Sequence, residues 1–425
     1  MAGRRALGRR FGWLWAAFAV SSYGTGLGFG AFPLIAVLVL HSGPAQVAAL
    51  AATGRVVGAL LAVPLGPWVE FRRKRPVMIA MDLARFGALM TIPAAFAFGR
   101  LGFAQLLVVS VVVAAADIGF KAASGAYLKT LVPPRDLLVA NGRFESTTWT
   151  ATMIGPPLGG AAIGLFGPVV TVVADAVSYL LSALGIRAIG GSEPRPARTG
   201  APRLRAGDLL EGWRRILAHP VLRPLFFNAI VVNGLIMASG PLLAVLLLDS
   251  LGFAPWQYGL VFALPCVGGL VGSRLAPRLV ARFGQRQVMR TAGALRACWP
   301  LGLAFVQSGV PGIVLIIAVQ FGLVTCCGVF NPVLATYRLD HTDPDSVART
   351  LSAWSVSSSL AIAAMTAGWG LLAAVTSPRL AIAAAGVLLL ATPLLLPRRE
   401  CAPQDGPQDG PQDGPQRGLG AQVGT

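Results

Sequence analysis

Ionisable side chains inside long apolar stretches are the residues of this sequence best placed to do chemistry. Asp82 and Arg85 are three residues apart in one stretch, and Asp117 and Lys121 are four residues apart in another. In a helix, either spacing puts both members of a pair on one face. Burial disfavours a charged carboxylate and a nearby cation favours it, so a pair that separates can take up and release a proton. We therefore predict proton coupling at these two pairs, with a purely structural salt bridge as the alternative for each.

Other polar residues within apolar stretches are candidates for lining a central cavity. Ionisable groups at membrane depth are costly and are functional candidates by default. The cavity candidates are Arg55, Tyr23, Thr25, Asn228 and Asn233. The five cysteines and three histidines have neither the spacing of a metal site nor that of a disulfide framework. We therefore expect no metal ion, no cofactor and no enzymatic centre.

The elements that position these residues are about twelve apolar stretches, each long enough to cross a bilayer as a helix. A membrane-spanning helix needs roughly 20 apolar residues, and only helices or closed barrels satisfy their own backbone hydrogen bonds in lipid. Long apolar runs without the alternation of a strand favour the helix. The expected spans are 12–40, 45–68, 77–98, 102–124, 146–166, 169–188, 224–248, 256–276, 288–307, 311–335, 351–374 and 380–397. The predicted fold class is therefore an all-α polytopic membrane protein.

The composition supports a membrane protein over a soluble one. Of the 425 residues, 55% are hydrophobic and 12% are charged, whereas a soluble domain has about 25% charged residues. The net charge of +18 is explained by basic loops, which collect on the cytoplasmic side of membrane proteins and attract anionic head groups. We therefore expect the lipid bilayer, and not a nucleic acid, as the partner of these charges.

Basic residues are concentrated in every second gap between the expected spans. The run 72–75 follows the second span, and further clusters follow the fourth, sixth, eighth, tenth and twelfth spans. The only basic residues in the opposite gaps are Arg100 and Arg379. The positive-inside rule therefore places both termini on the cytoplasmic side of the plasma membrane. The same alternation favours an even number of spans.

The longest connection divides the spans into two sets of six. We expect a six-helix half over residues 1–188, a cytoplasmic linker over 189–223 and a second six-helix half over 224–397. Apolar residues of 209–217 share one helical face, which predicts a short amphipathic helix, either on the membrane surface or packed on the ends of the spans. The tail over 398–425 repeats Pro-Gln-Asp-Gly and is predicted to be disordered.

Two loops at equivalent places in the two halves share a pattern of glycine and basic residues. The first contains Gly66, Glu70, Lys74 and Arg75. The second contains Arg282, Gly284 and Arg286, with Ala281 in place of the acid. This pattern resembles the loop signature of the major facilitator superfamily, whose fold has two parallel six-helix repeats. The resemblance implies a cytoplasmic latch that stabilises one closed arrangement and that depends mainly on Glu70.

A glycine- and proline-rich segment of the fifth span resembles a signature of exporters in that superfamily. It contains Gly155, Pro156, Gly159 and Gly160. Proline bends a helix, and glycine lets a neighbouring helix approach closely, so we expect a hinge-like contact between the halves. The stretches that resemble drug- and siderophore-exporter-like members are 132–137, 140–146, 174–179 and 211–222.

The resemblance implies a secondary active transporter that exports a small molecule by alternating access, in exchange for protons, as a monomer. An importer or facilitator of the same fold is the first alternative. A membrane-embedded transferase is a lower one, because such an enzyme needs a cluster of acids, histidines or a metal site near the interface, with loops that hold a head group. The sequence does not name the substrate.

Overall fold

The fold is built entirely from helices in the part of the chain that the structure describes. This computed structural model describes residues 7–28, 31–41, 44–191, 193, 210–253 and 255–396. The helices before the linker are α1 (Arg9–Leu27), α2 (Ala31–Leu38), α3 (Pro44–Ala62), α4 (Leu65–Glu70), α5 (Lys74–Ala97), α6 (Phe103–Leu131), α7 (Leu137–Phe166) and α8 (Pro168–Arg187). Those that follow are α9 (Glu211–Ala218), α10 (Leu222–Val245), α11 (Pro255–Ala263), α12 (Cys266–Phe283), α13 (Gln285–Cys298), α14 (Val310–Asp340), α15 (Val347–Val375) and α16 (Pro378–Ala391).

Each of the twelve predicted spans falls on one of these helices or on two in succession. Nine helical segments of the described residues are long and apolar enough to cross a membrane. The other three predicted spans correspond to α3 with α4, to α7, and to α13 with the 3-10 turn after it. The first of these is interrupted by a turn at Pro64, and α7 begins nine residues before the predicted start at Ser146. The all-α, multi-span fold class is confirmed.

Packing follows the two-repeat pattern. In the first half, here α1–α8, helix α1 packs against α7 and α8, α5 packs against α6 and α8, and α3 packs against α6. In the second half, α10–α16, helix α14 packs against α12 and α13, and α10 packs against α15 and α16. A 3-10 turn, Pro134–Asp136, joins α6 to α7, and its counterpart, Pro344–Ser346, joins α14 to α15. Equivalent positions in these regions therefore differ by about 210 in residue number.

The two halves contact each other at one end of the bundle. Helix α7 packs against α12 and α14, and α15 packs against α3, α4 and α6. The buried residues of α15 run from Val347 to Val356, and none of its residues over 357–375 is buried. We call the contacted end, where α4 ends and α5 begins, the basic end, because the run 72–75 lies there. The halves thus pack together at the basic end, whereas the far part of α15 is not buried.

The linker helix α9 packs on the bundle. Gly212 and Ile216 are buried, and the Trp213 indole donates a hydrogen bond of 2.8 Å to Ser357 Oγ on α15. Of the two placements open from the sequence, packing on the ends of the spans is therefore the one observed. Most of the preceding linker, 194–209, and the repeat tail lie outside the described residues.

Candidate functional site

A fully buried ion pair lies at the centre of the first half. The Asp82 side chain is completely buried and pairs with Arg85, whose side chain is 4% exposed. The second oxygen of Asp82 accepts a hydrogen bond of 2.7 Å from Ser182 Oγ on α8. Both carboxylate oxygens therefore have partners, as a buried charge requires.

Arg85 also contacts the second predicted pair. Its Nη1 lies 3.5 Å from Asp117 Oδ1 on α6, and the other Asp117 oxygen lies 2.7 Å from Lys121 Nζ. Exposure increases along this chain of charges, because the Asp117 side chain is 37% exposed and the Lys121 side chain 61%. We name the four residues the charge relay. The sequence spacing predicted each pair, but the packing of α5 on α6 that joins them has no local signal.

Aromatic and hydroxyl groups surround the Arg85 guanidinium. It lies 4.7 Å from the ring centroid of Phe120 and 4.2 Å from that of Tyr179. The Tyr179 hydroxyl is 2.8 Å from Thr25 Oγ1 on α1. Thr25 is therefore tied to the charge relay through Tyr179. Four helices, α1, α5, α6 and α8, hold this one cation in place.

The basic end is joined by a salt bridge between the halves. Arg349 Nε, near the start of α15, lies 2.9 Å from Glu70 Oε2 at the end of α4. Arg349 also forms an ion pair with Glu211 of the linker helix, and its guanidinium lies 5.2 Å from the Phe71 ring centroid. The Arg349 side chain is only 2% exposed, against 11% for Glu70. One buried cation therefore connects both halves and the linker.

The other loop residues of the first half support α4 and its neighbours. The Lys74 ammonium donates to the carbonyl oxygens of Val69 and Glu70, at 2.8 and 2.7 Å, so it caps the end of α4. Gly66 lies directly against α15, since a side chain there would meet Ser352 Cβ at 2.9 Å. The contact of this loop with α15 therefore leaves no room for a side chain at residue 66.

The carboxyl of Glu70 responds to pH near neutrality. Burial raises the pKa of Glu70 to about 7, and Arg349, the strongest of the nearby cations, opposes that rise. The closed basic end therefore holds this proton more tightly than an arrangement in which Glu70 is solvated.

The loop of the second half does not take part in this salt bridge. Arg282 and Gly284 are exposed, and Gly284 and Arg286 line a peripheral cavity at the start of α13. At the positions equivalent to Glu70 and Arg349, the second half has Ala281 and Val139, so the same salt bridge cannot form there. A latch role for Arg282, Gly284 and Arg286 stays a prediction.

The glycines of the fifth span contact a helix of their own half. A side chain at Gly155 would meet Gly26 Cα of α1 at 2.6 Å, and one at Gly159 would overlap the Leu27 backbone. Gly160 has no described atom within 4 Å of such a side chain. Pro156 lies inside the continuous helix α7. The predicted contact between the halves is therefore corrected to a backbone-to-backbone contact of α7 with α1.

The cavity candidates separate into buried and exposed residues. Asn228 is fully buried and accepts a 2.6 Å hydrogen bond from Arg296, so the expectation that it lines a cavity is wrong for this arrangement. Arg55 and Asn233 are exposed and Tyr23 is half-buried. Because its partner Arg296 lies on another helix, no local sequence pattern indicates this contact.

Polar contacts that the sequence did not predict run between α7 and the second half. Glu145 Oε1 accepts hydrogen bonds from Trp149 Nε1 at 2.9 Å and from Asn331 Nδ2 of α14 at 2.8 Å. Asn141 Nδ2 donates to Thr336 Oγ1 at 2.9 Å. Glu145 is the ninth residue of α7, but it lies one residue before the predicted span, which starts at Ser146. Each contact between the halves must break if the basic end opens.

A second buried arginine, Arg296 of α13, occupies the repeat position of Arg85. It stacks 3.6 Å from the ring centroid of Phe330, which is the counterpart of Phe120. The counterpart of Asp117 is Cys327. The second half thus keeps the cation and the ring without the acid. Among the described residues, no group of three His, Cys, Asp or Glu side chains is arranged to hold a metal.

Comparison with protein families gives a match over most of the chain. The model described as Major Facilitator Superfamily matches residues 14–326 and 225–419. The multidrug efflux pump Tap of Mycobacterium tuberculosis (strain ATCC 25618 / H37Rv) is 27% identical over 337 residues, which cover 76% of this chain and 78% of the pump. A chloramphenicol resistance protein of Streptomyces lividans is 32% identical over 253 residues, 59% of this chain and 60% of that protein.

Solved structures share the fold over nearly the whole chain. A bacterial homologue of the iron transporter ferroportin, in an outward-facing state, aligns with a TM-score of 0.79 at 16% identity and covers 91% of this chain and 98% of its own. The human organic anion transporter MFSD10 aligns with a TM-score of 0.74 at 15% identity and covers 93% of this chain and 100% of its own. At this level of identity, these likenesses bear on the fold alone.

Proposed function

This chain belongs to the major facilitator superfamily, and we propose that it exports a small molecule across the cytoplasmic membrane in exchange for protons. Relatives named as a multidrug efflux pump and a chloramphenicol resistance protein support export over import. The observation that carries proton coupling is the shared cation of the charge relay, where one buried arginine serves two carboxylates that differ in exposure.

The charge relay gives a simple route for coupling. The Asp117 side chain is partly exposed, and we infer that a proton reaches it from the side away from the basic end. Protonation cancels the attraction of Asp117 for Arg85 and Lys121, and leaves Arg85 paired with Asp82 alone. The side chains that fixed α6 against α5 are then released. We infer that this change lowers the barrier to rocking and that the proton leaves when the basic end opens.

Alternating access requires the basic end to separate, and the contacts there define what must break. The salt bridge from Arg349 to Glu70 is one of the buried contacts, and we assign to it the role that the sequence resemblance gives to a latch. Lys129 Nζ adds a 2.5 Å hydrogen bond from α6 to the Leu339 carbonyl of α14. In the proposed orientation this end faces the cytoplasm, with both termini on that side and the chain acting as a monomer.

Transport by inverted membrane vesicles tests the proposal, with chloramphenicol as the probe and an imposed pH gradient as the drive. Asp117→Asn keeps the shape of the side chain and removes the titratable group, so gradient-driven accumulation should fall to the level seen without a gradient. The matched control is Asp343→Asn, which removes a carboxylate that is 80% exposed and should leave accumulation unchanged. Full gradient-driven accumulation by Asp117→Asn, at normal membrane insertion, would contradict proton coupling through the charge relay.

A further inference from the structure

Arg55 is a cation near the middle of a membrane span, and no acid of the described residues pairs with it. Together, α3 and α4 run from Pro44 to Glu70, so Arg55 lies about 16 Å from one end and about 22 Å from the other. Its side chain is exposed, and within the described part of the chain its guanidinium forms neither an ion pair nor a hydrogen bond. Both ends of the span are farther away than an arginine side chain extends. A charge at this depth is costly and marks a functional site by default.

The direction of Arg55 follows from its neighbours on α3. Residues four and seven positions apart on a helix share a face, so Arg55 lies on the face of Ala59 and Ala62, which are both fully buried. These two alanines belong to one cluster with Val356 of α15, in the other half. Leu60, which is apolar and 53% exposed, lies about 140° further round the helix. Arg55 is therefore on the side of α3 that faces α15, away from the side where Leu60 is suited to lipid.

The register of the two helices places a serine of α15 at the level of Arg55. The helices run antiparallel, and the Ser352 hydroxyl donates a hydrogen bond of 3.4 Å to the Ala62 carbonyl. Seven residues back on α3 and seven forward on α15 lead to Arg55 and Ser359. Ser359 is half-buried, and its hydroxyl has no hydrogen-bond partner among the described residues. Beyond Val356, α15 has no buried residue. We call the space between Arg55 and Ser359 the α3–α15 cleft.

We propose that the α3–α15 cleft binds the carboxylate of a small amphipathic organic anion; this rests on the proposed transport function and names its substrate class. A guanidinium binds a carboxylate through two parallel N–H donors, and the Ser359 hydroxyl supplies a third donor from the other half. The nearby cluster that contains Ala59, Val356 and Leu360 is apolar and suits the rest of such a molecule. A cationic molecule would instead meet the unpaired charge of Arg55. Because one ligand contacts both halves, its binding depends on their arrangement.

Binding of labelled 4-phenylbutyrate to the purified full-length protein tests the proposal, in nanodiscs of a zwitterionic lipid at neutral pH and without a proton gradient. The competitors are 4-phenylbutyramide and 4-phenylbutylamine, which have the same apolar body without the negative charge. We expect the acid to bind about tenfold more tightly than the amide, since it gains one charged hydrogen bond. We expect the amine to bind more weakly than the amide.

Two variants and one control locate the site. Arg55→Gln should weaken binding of the acid about tenfold, and Ser359→Ala about fivefold. Neither should change binding of the amide by more than about twofold, because the amide gains little from a positive charge. The matched control is Arg100→Gln, which removes an exposed arginine of the loop between α5 and α6. Its affinity for the acid should change less than about twofold.

The pattern of losses decides the proposal. No saturable binding of the acid, or equal affinity for acid and amide, would show that the cleft does not recognise a carboxylate. Unchanged acid binding in Arg55→Gln, or loss of acid and amide binding together, would remove Arg55 as the ligand-binding cation. Inorganic phosphate that displaces the acid at equal concentration would assign the cleft to a small inorganic anion. If Arg55→Gln does not fold, Ser359→Ala should still lose affinity for the acid and keep it for the amide.

This inference and the proposed proton exchange fail separately. Gradient-driven chloramphenicol transport by a protein with no preference for the acid would remove only the substrate class. A preference for the acid that depends on Arg55, in a protein without gradient-driven transport, would keep the anion site and remove the proton exchange.

Discussion

Arg349 is the residue whose removal should most strongly open the basic end. Its side chain is 2% exposed and lies between two carboxylates, Glu70 and Glu211. Arg349→Gln removes the cation that those acids share and leaves Glu211 paired with Arg215 alone. Removing one partner of a buried ion pair costs about 3–5 kcal/mol. The two acids are partly exposed, 11% and 28%, and Glu70 can take up a proton near neutral pH, so we discount the cost to about 2 kcal/mol.

A loss of about 2 kcal/mol corresponds to a roughly 30-fold fall in the ratio of closed to open molecules. Spin labels at two exposed positions of the basic end, Arg135 on the first half and His341 on the second, report that ratio through their distance distribution. The labels require a background without the native cysteines. We expect the Arg349→Gln population to shift toward the longer distance.

The matched control is Arg215→Gln, which removes another cation of the same cluster. The Arg215 side chain is 42% exposed and pairs with Glu211 and Asp343, and exposed pairs are worth about 0–1 kcal/mol. Its closed-to-open ratio should therefore change less than about fivefold. Equal shifts for Arg349→Gln and Arg215→Gln, or no shift in either, would refute the reasoning that burial makes Arg349 decisive.

Three further predictions concern pH, packing and the contacts between the halves. The pKa of Glu70 is about 7 in the closed arrangement and near 4.3 when a glutamate is solvated, so the closed fraction should increase as pH falls from 7 toward 4.3. In Glu70→Gln, the same distance measurement should lose that pH dependence. An unchanged pH profile in Glu70→Gln would exclude Glu70 as the group that titrates. Gly155→Leu should destabilise the protein by about 1–3 kcal/mol through overpacking against α1, read as a lower Tm, while Gly160→Ala should not; equal Tm values would contradict the contact. Asn331→Ala removes the hydrogen bond to Glu145 across the halves, so the closed-to-open ratio should fall about fivefold, and an unaltered ratio would show that this bond contributes nothing to closure.

The fold followed from the sequence because a bilayer constrains it severely. Length and hydropathy located the described helices on both sides of the linker. The absence of strand alternation excluded a barrel. Helix breaks were less predictable. The turn at Pro64 has a local cause, but the nine extra residues of α7 include polar side chains that bond to the second half, a contact that no local pattern predicts.

Ion pairs of the site were predictable when both partners lie on one helix. They were not predictable when the partners lie on two different helices. Asp82 with Arg85, and Asp117 with Lys121, follow from spacing on a single helix, whereas the contact from Arg85 to Asp117 depends on how α5 packs on α6. Glu70 stood out in its loop, but its partner Arg349 lies in the other half. No local pattern reveals a partner of that kind.

The internal repeat supplies part of the missing information once the helices are placed. Arg296 corresponds to Arg85, but Cys327 stands where the first half has Asp117, so the second half lacks that carboxylate of the proposed proton-coupling site. The same comparison places Ala281 and Val139 where the first loop and its partner helix have Glu70 and Arg349. Equivalent positions therefore show where the two halves differ in charge.

Proton movement measured during transport tests the central claim most directly. Purified protein in liposomes that enclose a pH-sensitive dye is exposed to chloramphenicol, with no gradient imposed beforehand. The account predicts a substrate-dependent proton flux opposite in direction to the substrate, and its loss in Asp117→Asn. Chloramphenicol flux without any accompanying proton movement would contradict antiport. Proton movement in the same direction as chloramphenicol would contradict export by exchange.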